Sequence, residues 1–215
     1  MVGSVRFSMR DEARLVERLR RTRQPGFELA SMVQQLLESS LDESVEIAAD
    51  LLERYADLAK PQFRFEVAAV YHLARVRGLV KERQRDWRAA ALAYRDGAAA
   101  AAAGTGDLPL LLARVALAHG LSELFSEAVA LLERDIATRV TPLPVVQFEH
   151  HLLAARLSAE LGRRDDARSH ARLALEWAAK AETGLQKHKH LLLVPPLDPG
   201  IEGELRAIID DDAKH

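Results

Sequence analysis

The chain has 215 residues, which is enough for one well-cored domain or for a short array of repeats. Its 30 basic and 32 acidic side chains give a formal net charge of −2, so no global charge draws it to nucleic acid or to a membrane surface. It contains no Cys, which excludes disulfides, thiolate metal sites and cysteine catalysis.

Helical periodicity runs through most of the chain, and no segment shows the alternation of a strand. Ser8 can cap the first helix, while Pro25 and Gly26 break the chain after it. The predicted helices lie at about residues 8–23, 27–39, 42–59, 63–82, 85–103, 108–122, 125–138, 145–161, 164–182 and 200–211. We divide the chain into an N-terminal helical extension (1–25), a helical repeat domain (26–182), and an irregular segment with a C-terminal capping helix (183–215).

Small residues recur in register along the predicted helices. Ala90, Ala128 and Ala167 are separated by 38 and then 39 residues. Each has another small residue twelve positions before it, and two of the three have one seven positions after it; these are Gly78, Ala116 and Ala155, then Gly97 and Ala174. Seven positions after Ala128, where the other two units have a small residue, the chain has Asp135. Small side chains let paired helices approach closely, so the register predicts stacked helical hairpins.

The pattern resembles the tetratricopeptide repeat (TPR) family, in its degenerate bacterial form with long repeats. The residues that match are Gly78, Ala90, Tyr94 and Gly97; Ala116, Ala128 and Leu132; and Ala155, Gly162, Ala167 and Ala174. The spacing exceeds the roughly 34 residues of the standard repeat. The large aromatic residue expected early in each first helix is replaced by Ala74, Leu112 and His151.

The resemblance implies an all-α fold: a right-handed superhelical array of about four antiparallel hairpins, with an N-terminal helix and a C-terminal capping helix. It also implies a concave face, lined by the first helix of each hairpin, that binds a protein or peptide partner. The residues at those positions are Ser31, Gln34, Glu38, His72, Arg75, Glu82, Arg83, Leu110, Ala113, Leu117, Glu149, Arg156 and Glu160. Among them, His72, Arg75, Glu149 and Arg156 are expected to orient the partner.

Two Arg-rich stretches, residues 10–23 and 75–88, have the composition of a phosphate-binding surface. Acidic residues alternate with the Arg residues at helical spacing, which is typical of a solvent-exposed helix face. We therefore predict no nucleic-acid partner.

Metal binding and cofactors are not predicted. His150 and His151 are adjacent, so on a helix they point about 100° apart and do not chelate one ion easily. His188 and His190 have no carboxylate nearby in sequence before Asp198, and a zinc site needs three or four converging ligands.

Two alternatives to the binding scaffold remain open. In one, the chain is a homo-oligomeric structural subunit that associates through the apolar third hairpin. In the other it is an all-helical ribonuclease that uses an Arg/His pair, either Arg114 with His119 or Arg164 with His170. No phosphate loop, nucleophile elbow, zinc-helix motif or dinucleotide fingerprint is present.

We predict that the protein is a non-enzymatic scaffold, a bacterial regulatory or assembly factor. No run approaches the roughly 18 consecutive apolar residues of a membrane span. The first residues, MVGSVRFSMRDEAR, have no apolar stretch before their charges, unlike a secretory signal. A cytoplasmic location without a membrane partner is therefore expected.

Overall fold

The computed structural model describes residues 7–38, 42–55, 57–58, 67–100, 106–139, 143–180 and 196–210. Within these ranges the secondary structure is helical and contains no strand, so the prediction of an all-α protein is confirmed. The chain divides into two compact units, Met1–Ala102 and Ala103–His215, which we call the N-terminal unit and the C-terminal unit. The predictions for His188 and His190 lie outside the described residues.

The described part of the N-terminal unit contains five helices: α1 (Met9–Arg21), α2 (Pro25–Glu38), α3 (Asp42–Arg54), α4 (Val67–Arg83) and α5 (Trp87–Ala100). Ser8 caps α1 as predicted, because its hydroxyl accepts from the Asp11 amide while Asp11 accepts from the Ser8 amide. α2 begins at Pro25, two residues before the predicted start. Proline suits the first turn of a helix, since its φ is already helical and the missing N–H would have no partner there.

A single hydrophobic core joins α1 to α4 in the N-terminal unit. Leu15 and Leu19 of α1 pack with residues from the three following helices. Helix α2 contacts α1, α3 and α4, and α5 packs against α4. The fully buried members of this core, at 0% or 1% exposure, are Leu15, Leu29, Val33, Ala48, Leu51 and Val80. Helix α2 thus lies against both the preceding and the following elements, as the first helix of a stacked hairpin does.

The C-terminal unit also contains five helices within its described part: α6 (Leu108–Ala118), α7 (Phe125–Thr138), α8 (Pro144–Glu160), α9 (Arg164–Ala178) and α10 (Pro199–Asp210). Helix α8 contacts α6, α7 and α9, and α10 packs against both α8 and α9. Leu205 of α10 is fully buried against Leu152, Ala155 and Ala174, with Ile208 and Ile209 packed around them. These three residues of α10 therefore point inward.

Three hairpin turns share one hydrogen-bond pattern. In each turn a single residue has a left-handed backbone: Arg85 (φ 59), Gly120 (φ 62) and Gly162 (φ 69). The next residue donates to the carbonyl five positions earlier, at distances of 2.9, 2.9 and 2.8 Å respectively. This is the Schellman ending of a helix, for which Gly is the usual left-handed residue. Gly120 therefore ends α6 four residues before the predicted boundary.

The small residues of the predicted register are all buried. Ala90, Ala128 and Ala167 are at most 2% exposed, and Ala116, Ala155 and Ala174 are at 0%. Gly78 and Gly97 are buried as well. At Gly78 an added Cβ would lie 2.0 Å from Cε1 of Tyr94 on α5, so the absence of a side chain on α4 is what admits the tyrosine ring.

Candidate functional site

Seven of the predicted groove residues lie in the N-terminal unit, on α2 and α4. Those on α2 are three and four residues apart, and on α4 His72 and Arg75 are three apart with Glu82 seven further on, so these residues share one side of each helix; Arg83 follows Glu82 directly. On α2 they are Ser31, Gln34 and Glu38, and on α4 they are His72, Arg75, Glu82 and Arg83. We call the surface formed by these residues together with Phe27 the α2/α4 surface.

Three contacts join α2 to α4 along this surface. The Phe27 ring meets the His72 ring edge-on with centroids 5.2 Å apart. Nη1 of Arg75 donates to Oε1 of Gln34 at 3.2 Å, and Nη2 of Arg83 donates to the Leu37 carbonyl at 3.1 Å. The order of these contacts is the same on both helices, so α2 and α4 run parallel and their predicted residues form one continuous surface.

One end of the α2/α4 surface is aromatic. Phe27 is 43% exposed, and the His72 ring beside it also meets the Tyr71 ring at a centroid distance of 5.1 Å. Among the described residues the exposed large hydrophobic side chains are Phe27, Met9 and Leu58. Phe27 is not among the predicted groove residues, although it stands one helical turn before Ser31 in the same register.

The other end of the α2/α4 surface is charged. Glu38 is exposed at the end of α2 and accepts from the Gln34 amide at 3.4 Å. Glu82 accepts from the hydroxyl of the buried Tyr94, which holds this carboxylate in place. The middle of the surface is polar and carries Ser31, Gln34 and Arg75.

The predicted groove residues of the C-terminal unit have different surroundings. Leu110 is 6% exposed and packs inside rather than lining a surface, as does Ala113 at 0%. Leu117 is half-buried, Glu149 forms an ion pair with Arg114, and Glu160 is exposed.

Arg156 is held by the chain's own last helix. Its guanidinium forms two hydrogen bonds with Glu204 of α10, at 2.8 and 2.6 Å, and this carboxylate raises the pKa of Arg156. A partner that used Arg156 would have to displace Glu204. Among the described residues of α6 no large hydrophobic side chain is exposed, while Leu111 and Leu117 are half-buried.

A buried ionic network joins α7 to α8 in the C-terminal unit. Asp135 is 3% exposed and accepts from Nε2 of His150 at 2.7 Å and from Nε of Arg139 at 2.8 Å. The other ring nitrogen of His150 lies 2.8 Å from the Val146 carbonyl, so the ring donates to both partners only when both nitrogens carry a proton. Arg139 also donates to the Gly106 carbonyl at 2.7 Å.

The neighbours of Asp135 decide its charge. Burial works to raise its pKa, but the hydrogen bond from His150 and the guanidinium of Arg139 outweigh burial, so this pKa lies below its usual value. The carboxylate is therefore ionised inside the protein. Asp135, which interrupts the register of small residues, is thus a buried charged residue whose carboxylate is bound by His150 and Arg139.

His151 faces away from this network and toward α9. Its Nδ1 lies 3.0 Å from Nδ1 of His170, whose Nε2 lies 3.3 Å from Oε1 of Glu133 on α7. Burial, followed by the His170 and His150 rings, lowers the pKa of His151 to about 4. His150 and His151 point to different partners, as their adjacency on a helix predicts.

The low pKa of His151 makes stability depend on pH. In the unfolded chain this ring titrates near 6.5, whereas in the folded protein it titrates near 4, so between these values only the unfolded chain holds the proton. Stability therefore falls as the pH falls. We expect a loss of about 1.5 kcal/mol in the free energy of unfolding between about pH 6.5 and about pH 5, measured by urea denaturation.

The same measurement on two variants isolates His151. The His151→Leu variant should lose most of this pH dependence, while replacing the exposed His119 by Gln should leave it in place. An unchanged slope in His151→Leu would show that the ring is not kept neutral by its surroundings.

The residues of the two predicted ribonuclease pairs have different neighbours in the structure. Arg114 forms an ion pair with Glu149, and His119 lies beyond the end of α6. His170 contacts His151 and Glu133, whereas Arg164 lines a cleft of about 460 Å³ between the start of α9 and α10. In the part of the chain that is described, no group of three or more His, Cys, Asp or Glu side chains is arranged to hold a metal ion.

Comparison of the chain with protein families, with curated proteins and with solved structures finds no match in any of the three. A search of the described helices for a segment long and apolar enough to span a membrane finds none.

Proposed function

We propose that this protein is a non-enzymatic scaffold of TPR-like helical hairpins that binds a peptide segment of a partner protein on the α2/α4 surface. The main support is the continuity of that surface. Residues 41 to 46 positions apart in sequence meet across α2 and α4, and they include the predicted positions Gln34, His72, Arg75 and Arg83.

Further support for TPR-like hairpins comes from the packing of the helices. The same hydrogen-bonded turn ends α4, α6 and α8, and the small residues in register are buried at the helix contacts. A superhelical array of such hairpins would use the first helix of each as its binding face, and α2 and α4 are the first helices of successive hairpins.

The chemistry of the surface suits an extended peptide. Its middle carries the Gln34 amide and the Arg75 guanidinium, which have donors for the backbone carbonyls of a bound strand. The Arg75 side chain is half-buried and held by Gln34, so less conformational freedom is lost when a peptide binds. A short segment of this kind is expected to bind with a dissociation constant on the order of micromolar.

A peptide selection tests the proposal. Random peptides displayed on phage are selected against the full chain, and the enriched sequences are measured by fluorescence anisotropy. We expect the double variant His72→Ala/Arg75→Ala to bind these peptides at least about tenfold more weakly, equivalent to about 1.4 kcal/mol.

The matched control is Arg20→Ala, which removes an exposed arginine from α1 and should leave the affinity unchanged. Circular dichroism checks that each variant keeps its helix content. If no peptide is enriched, or if the selected peptides bind the double variant as tightly as the wild type, the proposal is wrong.

A further inference from the structure

The two ends of the α2/α4 surface differ in chemistry, and this difference specifies the partner. We infer that the bound peptide carries an aliphatic or aromatic side chain that covers Phe27 and, about five residues away, a Lys or Arg side chain that pairs with Glu38. This inference rests on the proposed function and adds to it a sequence requirement for the partner.

The aromatic end favours an apolar side chain. Phe27 leaves 43% of its surface in water, while its ring edge is already set by the T-shaped contact with His72. Covering exposed aromatic surface is favourable at roughly 25 cal/mol per Å², and a ring that is already positioned loses little freedom on binding. Met9 and Leu58 are also exposed, but neither belongs to the α2/α4 surface.

The charged end favours a cation. Glu38 is exposed, and among the described residues it takes part in no salt bridge. It lies in the last turn of α2, which carries no basic residue, so the partial negative charge of the helix end adds to the carboxylate. At the same end the Arg83 guanidinium donates to the Leu37 carbonyl, and the Glu82 carboxylate accepts from the Tyr94 hydroxyl.

The spacing follows from helix geometry. Phe27 and Glu38 are eleven residues apart on α2, and an α-helix rises about 1.5 Å per residue, so the two side chains are separated by roughly 16 Å along the helix. An extended chain covers about 3.3 Å per residue, so a peptide parallel to α2 spans this distance with about five residues.

A charge reversal tests the inference. The phage selection is repeated with the full-length variants Glu38→Lys and Phe27→Ala. With Glu38→Lys, the enriched peptides should carry Asp or Glu at the position where wild-type-selected peptides carry Lys or Arg. The peptides selected on the wild-type chain should bind the Glu38→Lys variant about tenfold more weakly than they bind the wild type. With Phe27→Ala, the apolar preference should disappear.

Two matched controls make the same chemical changes elsewhere. Glu46→Lys reverses an exposed acid on α3, and Met9→Ala truncates an exposed apolar side chain on α1. Both should return the wild-type motif.

The outcomes separate this inference from the proposed function. If peptides bind in a way that depends on His72 and Arg75, but Glu38→Lys selects the same motif as the wild type, the inference is wrong and the binding function stands. If no peptide is enriched with the wild-type chain, both are wrong. If the selected peptides change from a basic to an acidic residue with Glu38→Lys but not with Glu46→Lys, the result supports both the inference and the proposed function.

Discussion

Replacing Asp135 with alanine is expected to lower the free energy of unfolding by about 4 kcal/mol, because it leaves the buried hydrogen-bond donors of His150 and Arg139 without their acceptor. His150 is fully buried and donates to this carboxylate, and the Arg139 side chain is only 15% exposed. Sterically the change is mild, since Ala174 occupies the equivalent position of the next repeat. The loss of stability therefore comes from the hydrogen-bond donors of His150 and Arg139, which are left without an acceptor. Urea denaturation monitored by circular dichroism measures it.

Two further variants check this explanation. Asp50→Ala removes an exposed carboxylate from a helical ion pair with Arg54 and should change stability very little. Adding His150→Leu to Asp135→Ala should recover part of the loss, because an apolar side chain needs no acceptor. If Asp135→Ala were as mild as Asp50→Ala, Asp135 would not hold a buried charge network.

The Gly78→Ala variant is expected to lose about 3 kcal/mol or more in the free energy of unfolding. The added methyl group would lie 2.0 Å from Cε1 and 2.4 Å from Cζ of Tyr94. The tyrosine is fully buried and its hydroxyl is bound to Glu82, so its ring cannot move aside without breaking other contacts. Thermal and urea denaturation measure the loss.

Gly203→Ala is the matched control, because Gly203 is also a helical glycine but has no atom within 4 Å of an added Cβ. Alanine has the higher helix propensity, so this control should be neutral or gain up to about 1 kcal/mol. The double variant Gly78→Ala/Tyr94→Leu should be less destabilised than the sum of the two single changes. Equal stability of Gly78→Ala and Gly203→Ala would contradict the close packing of α4 on α5.

Much of the fold could be predicted from the sequence because its determinants are local. Small residues in register mark helix contacts, as Gly78 facing Tyr94 shows, and Ser8 caps its helix as its position predicts. The end of α6 was missed although Gly120 signals it. The end of α3 at Arg54 has no such signal in the residues around it, and the prediction extended this helix to the residues before Pro61.

The candidate sites were predictable only in part, for a physical reason. Residues of the α2/α4 surface share a helical register, so spacing alone groups them on each helix. The partners of Asp135 are Arg139, which directly follows α7, and His150 on α8, and a buried carboxylate looks the same in sequence as an exposed one. In the sequence, Asp135 is therefore visible only as an interruption of the register of small residues.

Nuclear magnetic resonance of the full-length chain, labelled with ¹⁵N and titrated with a selected peptide, tests the binding function most directly. We predict that the backbone amides whose signals shift most cluster on α2 and α4, with Ser31, Gln34, His72 and Arg75 among them, while those of α7 and α9 stay in place. Shifts centred on α7 to α9, or no saturable shift at all, would contradict the assignment of the binding site to the α2/α4 surface.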